Sequence, residues 1–329
     1  MWTRSPLSLR KHAFLFAMLM ALGLLVANVV ALPAFVAKSN WDANFATFAP
    51  FAILAIASTP AVMTGSGGLD LSIAPSANLV NVVLVTVLLP HTVLSSPWIA
   101  IPILLAMSSG IGFINGLAIT VVRIPPVVTT VGMLLLLTGL ITQIAPLPST
   151  ATAHWVTAMN GDVAGVPWGL ILIAIPLAIW GLLRRTPWVA TLYLVGGNAP
   201  AAYSAGINVT RTRLMAYTLG GLFAGIGGLA VTATILTSDS TIGLTYALIA
   251  MAAVALGGTP IGIGGRGGVL GSMCGAATIF LLQNLLIVVH VNSNLMQVAY
   301  GTLLIIGAVL GGIVSSPSKA RPAKVAISR

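Results

Sequence analysis

The sequence predicts an all-α, polytopic integral membrane protein of about ten transmembrane helices, and two observations carry that prediction. The first is composition. Of 329 residues, 58% are hydrophobic and 5% charged, with a mean hydropathy of +1.07, whereas an average soluble domain is about 25% charged. Fourteen Lys and Arg and four acidic residues, all aspartates, cannot clothe such a chain against water. The second is pattern: the apolar residues form runs long enough to cross a bilayer, and the basic residues gather between alternate runs.

A spanning helix needs about 20 largely apolar residues, fewer inside a bundle. The segments that qualify are 13–37, 46–63, 73–89, 98–122, 126–144, 167–183, 214–236, 242–257, 269–291 and 295–314. The first follows Arg4, Arg10 and Lys11 as a signal peptide would. It exceeds the usual apolar stretch of about 7–15 residues, and Phe35 suits a small-residue cleavage site poorly, so it reads as a retained helix. The second, third and eighth are short and abut Gly-rich stretches, which is how discontinuous helices look in sequence. Of the connections, 145–166 is polar and punctuated by Pro and Gly. The stretch 184–213 far exceeds the common helix connection of about 2–8 residues, which predicts structure of its own. A short run, a Gly-rich turn and a returning run occur at 46–89 and again at 242–291. An internal repeat and chance similarity in a Gly-rich chain explain that echo equally well.

Charge tests the span model independently. With the N-terminus inside, Arg4, Arg10, Lys11, Arg123, Arg184, Arg185, Arg211, Arg213, Arg266, Lys319, Arg321, Lys324 and Arg329 fall on the cytoplasmic side, and Lys38 alone falls outside. The positive-inside rule then favours an even number of spans with both termini cytoplasmic. Asp42, Asp162 and Asp239 land outside and Asp70 inside. The net charge of +10 therefore reads as orientation toward lipid headgroups rather than as a nucleic-acid footprint. The whole chain, 1–329, reads as one transmembrane domain ending in a basic tail, 315–329.

Several chemistries can be weighed on residues. Gly262 to Gly267 spells G-x-G-x-x-G, but a dinucleotide site needs a preceding strand and an acidic residue about 20 positions on, and no Asp or Glu follows Asp239. A tight turn is the better reading. No lysine follows a glycine, so the chain lacks a phosphate-cradling P-loop, and any ATP must be hydrolysed by another subunit. His91, His154 and His290 lie in or beside outer loops and His12 near the N-terminus, none where an intramembrane Ser–His pair would need it. One cysteine, Cys274, excludes an internal disulfide and a multi-cysteine metal site; no metal or cofactor is expected. No span carries an ionisable residue near its centre, unlike most ion-coupled transporters. The spans instead carry neutral hydrogen-bonding groups, among them Asn78, Asn81, Asn115, Thr129, Thr130, Gln283, Asn284 and Gln297. Such groups suit passage of an uncharged, polyhydroxylated solute; singly, each could equally be interhelical glue. The candidates for the path are Asn78, Asn115, Thr129, Thr130, Asn284 and Gln297.

Three stretches together resemble the ribose/xylose-type ABC sugar permeases, a group related to the branched-chain amino-acid permeases. They are GGLDLSIAPS at 67–76, GGNAPAAYSAGINVTRTRLMAYTLGGLFAGIGG at 196–228, and AAVALGGTPIGIGGRGGVLGS at 252–272 followed by LLQNLLIVVHVNSNLMQVAYG at 281–301. The resemblance covers roughly 46–314, and the order and spacing of the three stretches are more specific than any one of them. It departs from the family pattern at Ala247, often acidic, and at Tyr300, commonly basic.

The resemblance implies a permease subunit of an ATP-binding-cassette importer in the bacterial inner membrane, moving a sugar or similar small polar solute. It implies three partners: a cytoplasmic ATPase, a second permease subunit and a periplasmic solute-binding protein. Alternatives are a branched-chain amino-acid or other small-metabolite permease, an ATP-independent channel, or an intramembrane enzyme. It makes 184–213 a coupling loop and 196–206 a coupling helix that docks on the ATPase, with Gly197, Asn198, Ala201, Ala202, Tyr203, Ser204 and Gly206 as its residues. Asn198 is a candidate cap, Ala202 a small apolar contact in the partner's groove, and Arg211 and Arg213 candidate headgroup anchors. Gly67, Gly68, Asp70 and Ser72, and Gly257, Gly258, Gly264, Gly265, Arg266 and Gly267, form the two Gly-rich turns.

Overall fold

The computed structural model describes residues 13–315. Arg4, Arg10, Lys11 and His12 and the tail beyond residue 315 lie outside the described residues. The chain is built from helices α1 (Ala13–Ala31), α2 (Trp41–Met63), α3 (Ile73–Val82), α4 (Pro97–Thr120), α5 (Pro126–Ile144) and α6 (His154–Ala158). A two-residue hairpin, β1 (Asp162–Val163) and β2 (Val166–Pro167), leads into α7 (Trp168–Leu183), α8 (Pro187–Gly197) and α9 (Ala199–Ser204). The chain then runs through α10 (Val209–Ile235), α11 (Ile242–Leu256), α12 (Val269–Val288) and α13 (Ser293–Ser315).

Among the described residues, five helices are long and apolar enough to cross a membrane, and six if α7 and α8 count as one broken span, bent by 86°. Four shorter apolar helices lie within α1, α3 with its continuation, α11 and α13. The protein is a multi-pass α-helical membrane protein. The first helix is shorter than expected: it stops at Ala31 instead of reaching residue 37. Pro33 explains this, because a residue before proline is pushed out of helical geometry, and Leu32 has φ −142° and ψ 88°. The third run is not uniform either; α3 passes into a π-helical turn, Val83–Leu88.

The connections gather at two opposite ends of the bundle. At one end meet the α2–α3 turn, α8, α9 and the α11–α12 turn, together with Arg184, Arg185, Arg211, Arg213 and Arg266. At the other, Ser238 donates its N–H to Ser149 and Ala151 its N–H to Leu236, each at 2.8 Å, clasping the loop after α5 to the α10–α11 turn. Trp155 there reaches the carbonyl of Ser95 through its indole N–H at 2.8 Å. Of the arginines expected on one side, Arg213 binds the α2–α3 turn and Arg266 lies in the α11–α12 turn.

Helix α10 is central and packs on α2, α3 and α4. Its approach to α4 rests on Gly112 and Gly221: a Cβ on either would lie 3.1 Å from the other's Cα. Small residues permit this because helices in lipid associate by close packing. The two halves of the sequence echo, α2–turn–α3 and α11–turn–α12, pack crosswise, α11 against α3 and α12 against α2. Thr59 of α2 donates to Ser272 of α12 at 2.7 Å within that contact.

Candidate functional site

The long basic loop has the structure its length predicts. Pro187 at the start of α8 begins a helix turned 86° from α7. Proline is favoured in a first turn, where its missing N–H has no partner to lose. Helix α9 follows after a single residue, Asn198, whose Oδ1 accepts the N–H of Ala201 at 3.0 Å. That is the expected cap, which supplies one of the acceptors that a helix start lacks. Gly206, at φ +81°, ends the helix, its N–H donating to Tyr203 at 2.9 Å. The helix is therefore six residues, 199–204, and Gly196 and Gly197 belong to α8 instead.

Exposure separates the residues of α9. Tyr203 is 74% exposed, and Ala201, Ser204 and Ala205 also face out. Ala202 is 5% exposed and faces in, so it does not present itself to a partner as expected. The reason is the short link at Asn198, which folds α9 back onto α8 with one face covered. Between the two helices lies a shallow apolar depression lined by Tyr193, Leu194, Gly197, Ala201, Ala202 and Ile207.

Helix α8 ends between the two Gly-rich turns. A Cβ at Gly196 would strike the carbonyl of Met63 and the N–H of Gly265; one at Gly65 would strike the carbonyl of Gly196; one at Gly264 would strike the backbone of Gly65. Three segments far apart in sequence thus touch backbone to backbone, and only glycine leaves room. Gly265 donates to Met63 at 3.0 Å, and the Tyr193 hydroxyl donates to the carbonyl of Gly267 at 2.9 Å. Gly67, Gly258, Gly264, Gly265 and Gly267 all have positive φ, which glycine adopts without steric cost. Gly68 packs on the carbonyl of Ala61, Gly257 on that of Gly271, and Arg266 is exposed at the turn's surface. Arg213 does not point to headgroups alone: its guanidinium donates to Ser66 Oγ at 2.7 Å and ties α10 to the first turn. Arg211 is exposed.

Behind the first turn lies a buried polar chain. Ser72 donates its N–H at 3.0 Å and its hydroxyl at 2.6 Å to Oδ1 of Asp70. Asn115 of α4 donates to Ser72 Oγ at 2.7 Å, and Thr130 of α5 donates to the carbonyl of Leu69 at 3.3 Å. Asp70 is 2% exposed, and burial pushes its carboxyl up to about 6 against the opposing pull of Ser72. A charged carboxylate loses its hydration there, so the neutral form is favoured. Oδ2 of Asp70 and Oδ1 of Asn115 are buried with no partner.

The remaining candidates separate. Asn78 lies deeper along α3, and neither of its side-chain polar atoms has a partner. Thr129 is half-buried with its hydroxyl unpartnered; Asn284 on α12 is half-buried with Oδ1 unpartnered; Gln297 on α13 is exposed. Asn284 and Gln297 take no part in the Asp70–Ser72–Asn115 chain. In the sequence Asn81 is one of many polar span residues. It donates to Thr232 at 3.0 Å and to the carbonyl of Thr237 at 2.9 Å, and accepts from the N–H of Asp239 at 3.2 Å. Its signal in the sequence was the Asn-x-x-Asn spacing with Asn78, which puts both on one helical face.

Comparison with known proteins follows the same outline. Residues 40–313 match the family described as branched-chain amino acid transport system / permease component. The chain is 34% identical over 201 residues to the ribose import permease protein of Bacillus subtilis, covering 60% of this chain and 62% of that protein. It is 29% identical over 269 residues to the ribose import permease protein of Haemophilus influenzae, covering 79% and 80%. It is 27% identical over 223 residues to the fructose import permease protein of Bifidobacterium longum, covering 65% and 62%. No solved structure matches.

Proposed function

Because the chain belongs to the branched-chain amino acid transport system / permease component family, we propose that it is the permease subunit of an ATP-binding-cassette importer for a sugar. It is a multi-pass protein of the bacterial inner membrane and a transport component rather than an enzyme. The family description names amino acids, but relatives named for ribose and fructose import favour the sugar reading. The neutral Asn and Thr groups along the spans suit such a solute, since hydroxyls need donors and acceptors and no charge.

The basic end faces the cytoplasm, both termini lie there, and the chain crosses the membrane about ten times. A cytoplasmic ATPase docks on the exposed face of α9; a second permease copy or homologue completes the pore; a periplasmic binding protein delivers solute at the opposite end. The observation that carries the coupling role is the glycine junction. With Gly196 wedged against Met63, Gly65 and Gly265, a push on α9 bears at once on both Gly-rich turns. Closely packed interfaces transmit small displacements as rigid-body tilts.

The test is reconstitution. Proteoliposomes holding the permease with its ATPase and binding protein should accumulate D-ribose, D-xylose or D-fructose only with ATP on the ATPase side. The permease alone should neither bind nor hydrolyse ATP. Uptake by the permease alone, without ATP, would establish a channel instead.

A further inference from the structure

We infer that the Asn78 carboxamide is the group that reads the solute, holding two neighbouring hydroxyls at once, with Gly243 keeping the clearance beside it. The inference rests on the sugar-importer reading and deepens it.

Asn78 is 2% exposed, and both its Nδ2 and its Oδ1 are buried without a hydrogen-bond partner. Asn28 and Asn115, by contrast, use their amide donors and leave only an acceptor unmet. A buried amide without partners is unfavourable, so a residue with both halves open is placed for something that arrives. One turn further along the same face, Asn81 shows the contrast. Its amide is spent on Thr232, Thr237 and Asp239, and it draws the α10–α11 turn down onto α3. Asn78 therefore lies one turn beneath the point where that turn meets α3.

Across from it is the start of α11. A Cβ built on Gly243 would stand 3.5 Å from Nδ2 of Asn78 and 3.6 Å from Cα of Pro75. Gly243 has no positive φ and no collision to avoid, so neither backbone geometry nor packing demands a glycine there. At Gly243, therefore, α11 sets no side chain against the carboxamide. Both flanking helices adjoin irregular segments: α3 continues into a π-helical turn, a feature common at functional sites, and at the basic end α3 begins and α11 stops at a Gly-rich turn.

The chemistry follows. A carboxamide presents two donors and an acceptor side by side. Adjacent hydroxyls of a sugar can accept from Nδ2–H and donate to Oδ1 together, a two-point contact that an isolated alcohol or an alkyl side chain cannot match.

The experiment is uptake of D-ribose, D-xylose and D-fructose by proteoliposomes holding the whole importer. Wild type is compared with Asn78→Leu and Gly243→Ala, the same binding protein serving all three so that its selectivity cancels. Asn78→Leu should melt no lower than wild type, because it removes an unpartnered polar group, and should keep its ATPase, yet uptake should fall by about tenfold or more. Gly243→Ala should raise the KM for uptake more than it lowers the maximal rate. Wild-type uptake of every sugar by Asn78→Leu would overturn the inference while leaving the importer reading intact. A sharp loss of stability in Asn78→Leu would also overturn it, since the amide would then be holding helices together. Failure of the wild-type importer to move any of the three sugars would remove the importer reading and this inference with it.

Discussion

The N–H of Gly265 donates to the carbonyl of Met63 at 3.0 Å, so the turn after α11 hangs on the last residue of α2. This bond crosses between the two halves of the sequence echo, and Gly196 fills the space beside it. The arrangement makes the glycines at this junction testable one against another.

Gly264 and Gly262 both have positive φ, 58° and 84°. A side chain at either is strained by roughly 1–2 kcal/mol. Only Gly264 would also drive its Cβ into the backbone of Gly65; Gly262 has open space around it. Gly264→Ala should therefore melt several degrees below Gly262→Ala and lose uptake more severely. Equal melting temperatures would show that the turns do not need their close contact.

Much of this was readable in advance. The multi-pass helical class could be seen because lipid leaves a spanning helix no polar alternatives, and Asn198 announced the start of α9 because a cap is local chemistry. The contact of Gly65, Gly196 and Gly264 was not readable, since glycine spacing says a turn is tight but not what lies against it. Nor was the opposite orientation of Ala202 and Tyr203, neighbours whose exposure depends on how α9 folds back on α8. The first helix was overextended because hydropathy continues past Pro33 while helical geometry does not.

Titration of Asp70 should be visible in stability. With its folded-state pKa raised to about 6 from the ordinary 3.8, the folded protein holds a proton between those values that the unfolded chain has released. Stability then falls as pH rises through that window, by roughly 3 kcal/mol in full. Asp70→Asn keeps the Oδ1 acceptor for Ser72 and removes the ionisation. Its melting temperature should exceed that of wild type at pH 7.5, and the two should converge toward pH 4. A constant difference across that range would mean Asp70 does not titrate there.

Orientation can be read by cysteine labelling in a Cys274→Ser background. A cysteine at Asn160 should react only from the periplasm, and one at Ser204 only from the cytoplasm. Cysteines at Thr3 and Ser318, beyond the described residues, should also react only from the cytoplasm. Labelling of positions 160 and 318 from the same side would contradict an even number of spans.

The most direct measurement of the coupling claim is the Tyr203→Glu variant, assayed for ATPase co-purification and for ATP-driven sugar uptake. Ala202→Glu is the wrong probe, because Ala202 is buried against its own chain and a charge there disrupts α9 itself. Tyr203 is 74% exposed, so the substitution should leave the melting temperature of the permease unchanged. The predicted result is a folded permease that retains far less ATPase and loses most of its uptake. A well-expressed Tyr203→Glu variant with normal ATPase association and normal uptake would contradict the account.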